Sequence, residues 1–147
     1  MAGSKSKSMT RKDLQMLARL RLQEAVALHK AGFYDGSVYL AGYAVELALK
    51  ARVCRLLHLT EYPPSGNIGP AFKVHDLEQL KVLAGLNTEL TIGKNKDLFD
   101  NWSKAVDWDT EQRYEPAGKY DAKAAKLILD SIRDKPNGVL TWLTKRW

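Results

Sequence analysis

The chain has 147 residues, enough for one domain that buries its own core without covalent staples. Its one cysteine, Cys54, excludes a disulfide framework and points to a reducing compartment, with core filling as the ordinary role of such a thiol. No apolar run reaches the ~20 residues a membrane span requires, and the N-terminus lacks a hydrophobic signal core, so a cytoplasmic protein that does not enter a membrane is expected. The formal net charge of +6 suggests affinity for polyanions, but much of the excess lies at the N-terminus. Lys5, Lys7, Arg11 and Lys12 sit in or beside a Ser- and Lys-rich stretch without acids. Residues 1–11 therefore read as a flexible basic leader, and 12–147 as a single helical domain. The body alone is only mildly basic, which permits contact with RNA without demanding it.

From Lys12 to Lys30, Leu14, Leu17, Ala18, Leu22, Ala25 and Val26 recur at spacings of three and four and predict a helix ending at Gly32. Phe33-Tyr34-Asp35-Gly36 reads as a short connector, which makes the neighbouring helices antiparallel. A long helix is predicted from about Ser37 to Leu59. Its stretch Tyr39-Leu40-Ala41-Gly42-Tyr43-Ala44-Val45-Glu46-Leu47-Ala48-Leu49-Lys50 is apolar almost all round the wheel, so this is the central helix. Glu46 sits where a charge is costly. It must be paired, protonated or aimed into a polar cleft, and Lys50, one turn on, is the nearest partner. The Pro- and Gly-rich run 62–70 reads as the chief surface loop.

Further helices are predicted from His75 to Ala84, with Asp76 in the first turn, from Lys94 to Val106, and from Asp121 to Arg133. An irregular loop over 107–120 separates the last two, and a short helix or packed tail around Trp142 follows Pro136-Asn137-Gly138. The fold class is all-α: an up-and-down bundle of four to five helices with a short C-terminal helix. Trp102 and Trp108 suit area-burying anchors, and Trp147, beside Lys145 and Arg146, is expected to dock onto a partner surface.

Gly32-Phe33-Tyr34, then the central string through Glu46 with Ala48-Leu49-Lys50-Ala51, then His75-Asp76-Leu77 with Leu80, and finally Glu111-Gln112-Arg113-Tyr114 with Pro116, together resemble the HEPN domain family from about Leu14 to Ile132. The resemblance implies a helical bundle, often dimeric, of the kind that accompanies a minimal nucleotidyltransferase in prokaryotic toxin–antitoxin or defence loci. One branch of that family cleaves RNA without metal, using an Arg followed a few residues later by a His in a late helix. This chain departs from that pattern. Its histidines are His29, His58 and His75, and none follows Arg113. Arg52 with His58 is the one Arg-to-His pair at suitable spacing, and it falls on the central helix.

The remaining candidates form a polar set: Glu46 and Lys50 from the central helix, Lys73, His75 and Asp76 from the start of the next, and Glu111, Arg113 and Tyr114 from the second loop. Arg offers a bidentate fork for phosphate, Lys a point charge, and Tyr a stacking face. Equally, Glu46 neutralised by Arg113 would be an internal tie with a purely structural role. No metal or cofactor is expected, since His75 has no neighbour at ligand-like spacing except Asp76. The function expected from this reading is a HEPN-like module that binds a nucleotide, RNA or a nucleotidyltransferase partner, pairs as a homodimer, and lacks chemistry of its own. The runner-up is a metal-independent endoribonuclease toxin using Arg52 and His58, or Arg113 and His75 brought together in space. A purely structural interaction subunit is the third alternative.

Overall fold

The computed structural model describes residues 8–147; Lys5 and Lys7 of the basic leader lie outside the described residues. Helix α1 spans Arg11–Lys30. Thr10 caps it in a reciprocal box, accepting from the Asp13 amide at 3.1 Å while its own amide donates to the Asp13 carboxylate at 3.2 Å. Leu14, Ala18 and Ala25 form its buried stripe. The helix stops where the sequence placed the stop. Gly32 takes a left-handed φ of 87°, its amide donates to His29, and the Phe33 amide donates to Leu28.

Helix α2 spans Tyr34–Leu57. The expected connector 33–36 is thus mostly helix, a correction with a local cause. Gly36 sits where an added Cβ would lie 3.4 Å from the Leu28 side chain, so the hairpin closes tightly, and Asp35 in the first turn meets the positive end of the helix. The two helices are antiparallel, as expected: Ser37, near the start of α2, donates its hydroxyl to the Ala25 carbonyl at 2.7 Å, while Arg11 lies close enough to Cys54, near the end of α2, to act on its thiol. Ala41, Ala44, Val45, Leu47, Ala48 and Leu49 are all buried, which confirms α2 as the central helix. It ends at Leu57, short of the expected Leu59, because His58 turns left-handed with φ 53°.

The run after α2 is less of a surface loop than its prolines and glycines suggest. Tyr62 is 3% exposed, and Gly69–Phe72 form a 3-10 helix. The leader is anchored to the same run: Met9 and Tyr62 exchange both backbone hydrogen bonds, at 3.0 and 2.7 Å, and the Ser8 hydroxyl donates to the Pro63 carbonyl. Residues 8–10 are therefore built into the fold, and Arg11 belongs to α1, which corrects the expectation of a flexible leader through residue 11.

Helix α3 is Leu77–Leu83, α4 is Lys96–Ala105, α5 is Ala122–Arg133 and α6 is Val139–Leu143. Each of the first three starts one or two residues later than predicted, because Asp76, Asn95 and Asp121 serve as N-caps outside the helices. A second 3-10 helix, Thr110–Tyr114, occupies the expected irregular loop, and Asp35 holds the far end of that loop by accepting from the Gly118 and Tyr120 amides. Helix α2 packs against α1, α3, α5 and α6, so the core surrounds it. Among the described residues there is no strand, only the Met9–Tyr62 bridge, and no helix is long and apolar enough to cross a membrane.

All four tryptophans are buried. For Trp147 this overturns the expected docking role: the ring is 8% exposed, with the Arg19 guanidinium stacked 4.7 Å from its centre. Cys54 fills the core, as expected. Burial pushes its thiol up to about 11 against the opposing charge of Arg11, so almost no thiolate exists at neutral pH. An aromatic disulfide reagent at pH 7.5 is expected to label the native protein only as it unfolds, and stoichiometrically in urea. Prompt labelling without denaturant would show that the site opens locally.

Candidate functional site

Glu46 has no exposure to solvent. The i,i+4 spacing puts Lys50 on the same face of α2, and its ammonium lies 3.3 Å from Glu46 Oε1. The same oxygen accepts from His75 Nδ1 at 2.5 Å. A carboxylate can only accept, so Nδ1 carries the proton and Nε2 is the free ring nitrogen. His75 reaches Glu46 because Asp76, not His75, begins α3. The Asp76 carboxylate accepts from the Gln79 amide at 2.8 Å, and His75 stays on the extended approach to the helix. Glu46 Oε2 is buried and has no hydrogen-bond partner.

The environment of this carboxylate is aromatic on two sides. Burial first, and the charge of Glu46 after it, raise the Tyr43 hydroxyl above its ordinary range. Burial likewise raises the Tyr62 hydroxyl far above that range, with Glu46 again contributing. Tyr62 donates to the Phe72 carbonyl at 2.5 Å, packs edge-on against the Phe72 ring, and lies under the Lys50 ammonium at 5.3 Å. The result is a cleft of about 300 Å³. Lys50, Lys73 and His75 supply its polar side; Met9, Tyr62, Pro63 and Phe72 supply its apolar side. The His75 side chain is 60% exposed and that of Lys50 13%, so the set grades from a dry carboxylate to a wet imidazole.

Four residues of the predicted polar set therefore meet: Glu46, Lys50, Lys73 and His75. Asp76 is committed to its cap. Glu111, Arg113 and Tyr114 lie on the second 3-10 helix and do not line the cleft. The expected Glu46–Arg113 tie does not form. Arg113 stacks 4.8 Å from the Tyr114 ring, and Tyr114 followed by Tyr39 holds it more firmly protonated. With His75 on Glu46 and Arg113 on tyrosines, these two also have separate partners. Arg52 donates to the Ala84 and Arg146 carbonyls, both at 3.2 Å, joining α2 to the end of α3 and to the C-terminal segment, while His58 is an exposed cap.

Tyr62, Phe72 and Met9 were not among the sequence candidates. Nothing local marks them, since the cleft forms only when the leader pairs with the run after α2. A second missed feature did leave a trace. Gly42 stands among alanines and leucines in the middle of α2, and Trp108 occupies the space above it: an added Cβ would lie 2.0 Å from Trp108 Cδ1. The indole N–H donates to the Tyr39 carbonyl at 2.9 Å, and the ring packs against Tyr39 and Tyr43. A glycine inside an otherwise strong helix signals close approach of this kind.

Fold and site together define an all-helical bundle with a buried carboxylate paired with an imidazole and an ammonium, both of which line a small cleft. No family model, curated protein or solved structure matches the chain.

Proposed function

We propose that this chain is a HEPN-like module whose cleft binds a nucleotide or an RNA segment through its phosphate. The carrying observation is the convergence of Lys50, Lys73 and His75 on one concave surface with aromatic walls. Cations serve phosphate, and the partly buried Phe72 offers an apolar face to a base or ribose. The order of sequence motifs and the all-helical architecture agree with that family. The resemblance also supplies the biological setting of the proposal: a toxin–antitoxin or defence system, a nucleotidyltransferase as partner protein, and a homodimer.

One observation favours a second reading, RNA cleavage without metal. An imidazole oriented through Nδ1 by a carboxylate, in the lining of a cleft, is the arrangement of a general base. A single experiment separates the two. Fluorescently labelled single-stranded RNA is titrated with the protein in chelator, by anisotropy, and each sample is then run on a denaturing gel. Binding of intact RNA, weakened about tenfold in Lys73→Ala as one charge-assisted contact is lost, is the expected result. Cleavage that His75→Ala abolishes would replace binding with catalysis. Equal affinity in Lys73→Ala, or none in the parent, would reject the cleft as the site.

A further inference from the structure

We propose that the cleft selects a phosphate monoester, the phosphorylated end of a ligand, and that His75 is the group that makes the selection. This rests on the reading of the cleft as a phosphate site.

The charges are unequal in kind. Glu46 and Lys50, 3.3 Å apart, largely cancel each other. Two groups remain to face a ligand: the Lys73 ammonium and, as imidazolium, His75. An internal phosphodiester brings one negative charge, whereas a monoester carries about −1.5 to −2 at pH 7. Two cations match the monoester and oversupply the diester.

Geometry agrees with an end rather than a passing strand. A volume of about 300 Å³ lies at the small limit for ligand cavities and suits one phosphate with the unit attached to it. A second, more polar hollow of about 350 Å³ shares Ser8's neighbour Pro63, and Lys73, with the cleft and runs over the Pro64–Pro70 segment. Lys73 thus stands between the two. A chain whose phosphorylated end sits beside His75 would leave across this second hollow.

His75 is suited to the discriminating role because its orientation is fixed independently of the ligand. The Nδ1–H bond to Glu46 holds the ring, Nε2 is not engaged by it, and the side chain is 60% exposed. As imidazolium, Nε2–H donates to a phosphate oxygen; as neutral imidazole, Nε2 presents a lone pair that opposes one. The charged groups facing His75 are Glu46 and Lys50 from α2 and Lys73 from its own segment, while Asp76 is occupied by the Gln79 amide. Selection for the monoester therefore requires that the phosphate has lost its second proton, near pH 6.

The test compares a short single-stranded ribo-oligonucleotide bearing a 5′-phosphate with the same oligonucleotide bearing a 5′-hydroxyl, by competition anisotropy from pH 5.5 to 8.5. Inorganic phosphate and a simple alkyl phosphate serve as further competitors. His75→Asn is the key variant, since its amide can still donate to Glu46 while the second ring nitrogen is gone; circular dichroism checks its fold. The phosphorylated oligonucleotide should bind about tenfold more tightly near pH 6.5, equivalent to one charge-assisted contact, and H75N should lose that advantage while still binding the hydroxyl form. Equal affinities of the two oligonucleotides in the parent, or an undiminished preference in H75N, would overturn the inference while leaving a general phosphate site standing. A rise in Tm with the alkyl phosphate that H75N does not show, with no binding of either oligonucleotide, would support monoester selection and reject the nucleic-acid reading.

Discussion

Glu46→Ala is expected to lower the free energy of unfolding by about 3 kcal/mol, measured by urea denaturation followed by circular dichroism. The carboxylate is wholly buried, and Lys50, only 13% exposed, would be left in the bundle without its counter-charge. His75 lessens the loss because it is already 60% exposed and returns readily to water, which places the effect at the low end for a broken buried pair. Replacing both members by apolar groups of similar size should behave differently. The double variant Glu46→Leu/Lys50→Met removes two desolvated charges together and fills their volume, so it is expected to be as stable as the parent or more so. It should also lose any preference for a phosphate monoester, because His75 no longer has the Glu46 carboxylate that holds its ring. A Glu46→Ala protein within 0.5 kcal/mol of the parent, or a double variant as damaged as the single one, would show that the pair does not carry the energetics assigned to it.

The second large effect concerns Gly42. Replacing a glycine in a helix by alanine ordinarily adds up to about 1 kcal/mol of stability through backbone entropy. Here it should cost about 2 kcal/mol or more, because the new methyl group would occupy the place of the Trp108 indole. That ring cannot yield cheaply: it is 6% exposed, bonded to the Tyr39 carbonyl, and packed on two tyrosines. The control is a double-mutant cycle. In a Trp108→Ala background the clash is gone, so Gly42→Ala should become neutral or stabilising. Destabilisation of the same size in both backgrounds would mean that the methyl group meets something other than the indole.

The helices were largely legible because their signals are local. The three-and-four spacing of Leu14, Ala18 and Ala25 can be read along a few residues, whereas the cap roles of Thr10, Asp76 and Asp121 move the helix starts by one or two residues from where that spacing alone puts them. The start of α2 was not, since Tyr34-Asp35-Gly36 has the chemistry of a turn and becomes helical only under the packing of Leu28 and the pull of distant amides on Asp35. Within the site, Lys50 was visible as the partner of Glu46 because four residues of helix bring them together. The other partner is decided by topology. His75 and Arg113 are both plausible from composition, but Trp108 covers the Tyr39–Tyr43 face of α2 and the second 3-10 helix stays there, whereas the approach to α3 crosses the face that holds Glu46. Trp147 misled for the same reason: its place on α1 depends on where α6 ends, which no local pattern states.

The cleft draws its two sides from parts of the molecule with different obligations. Glu46 and Lys50 are rooted in the central helix, where any change disturbs the core. Pro63 and Lys73 lie outside helices α1 to α6, Pro63 beside the Met9–Tyr62 backbone pair and Lys73 just after the first 3-10 helix. Substitutions at these two positions can reshape the opening of the cleft while the bundle keeps its packing, whereas Met9 also packs against the core. Ligand preference is thereby separated from foldability, and the architecture is one in which recognition can drift or be redesigned without first acquiring spare stability.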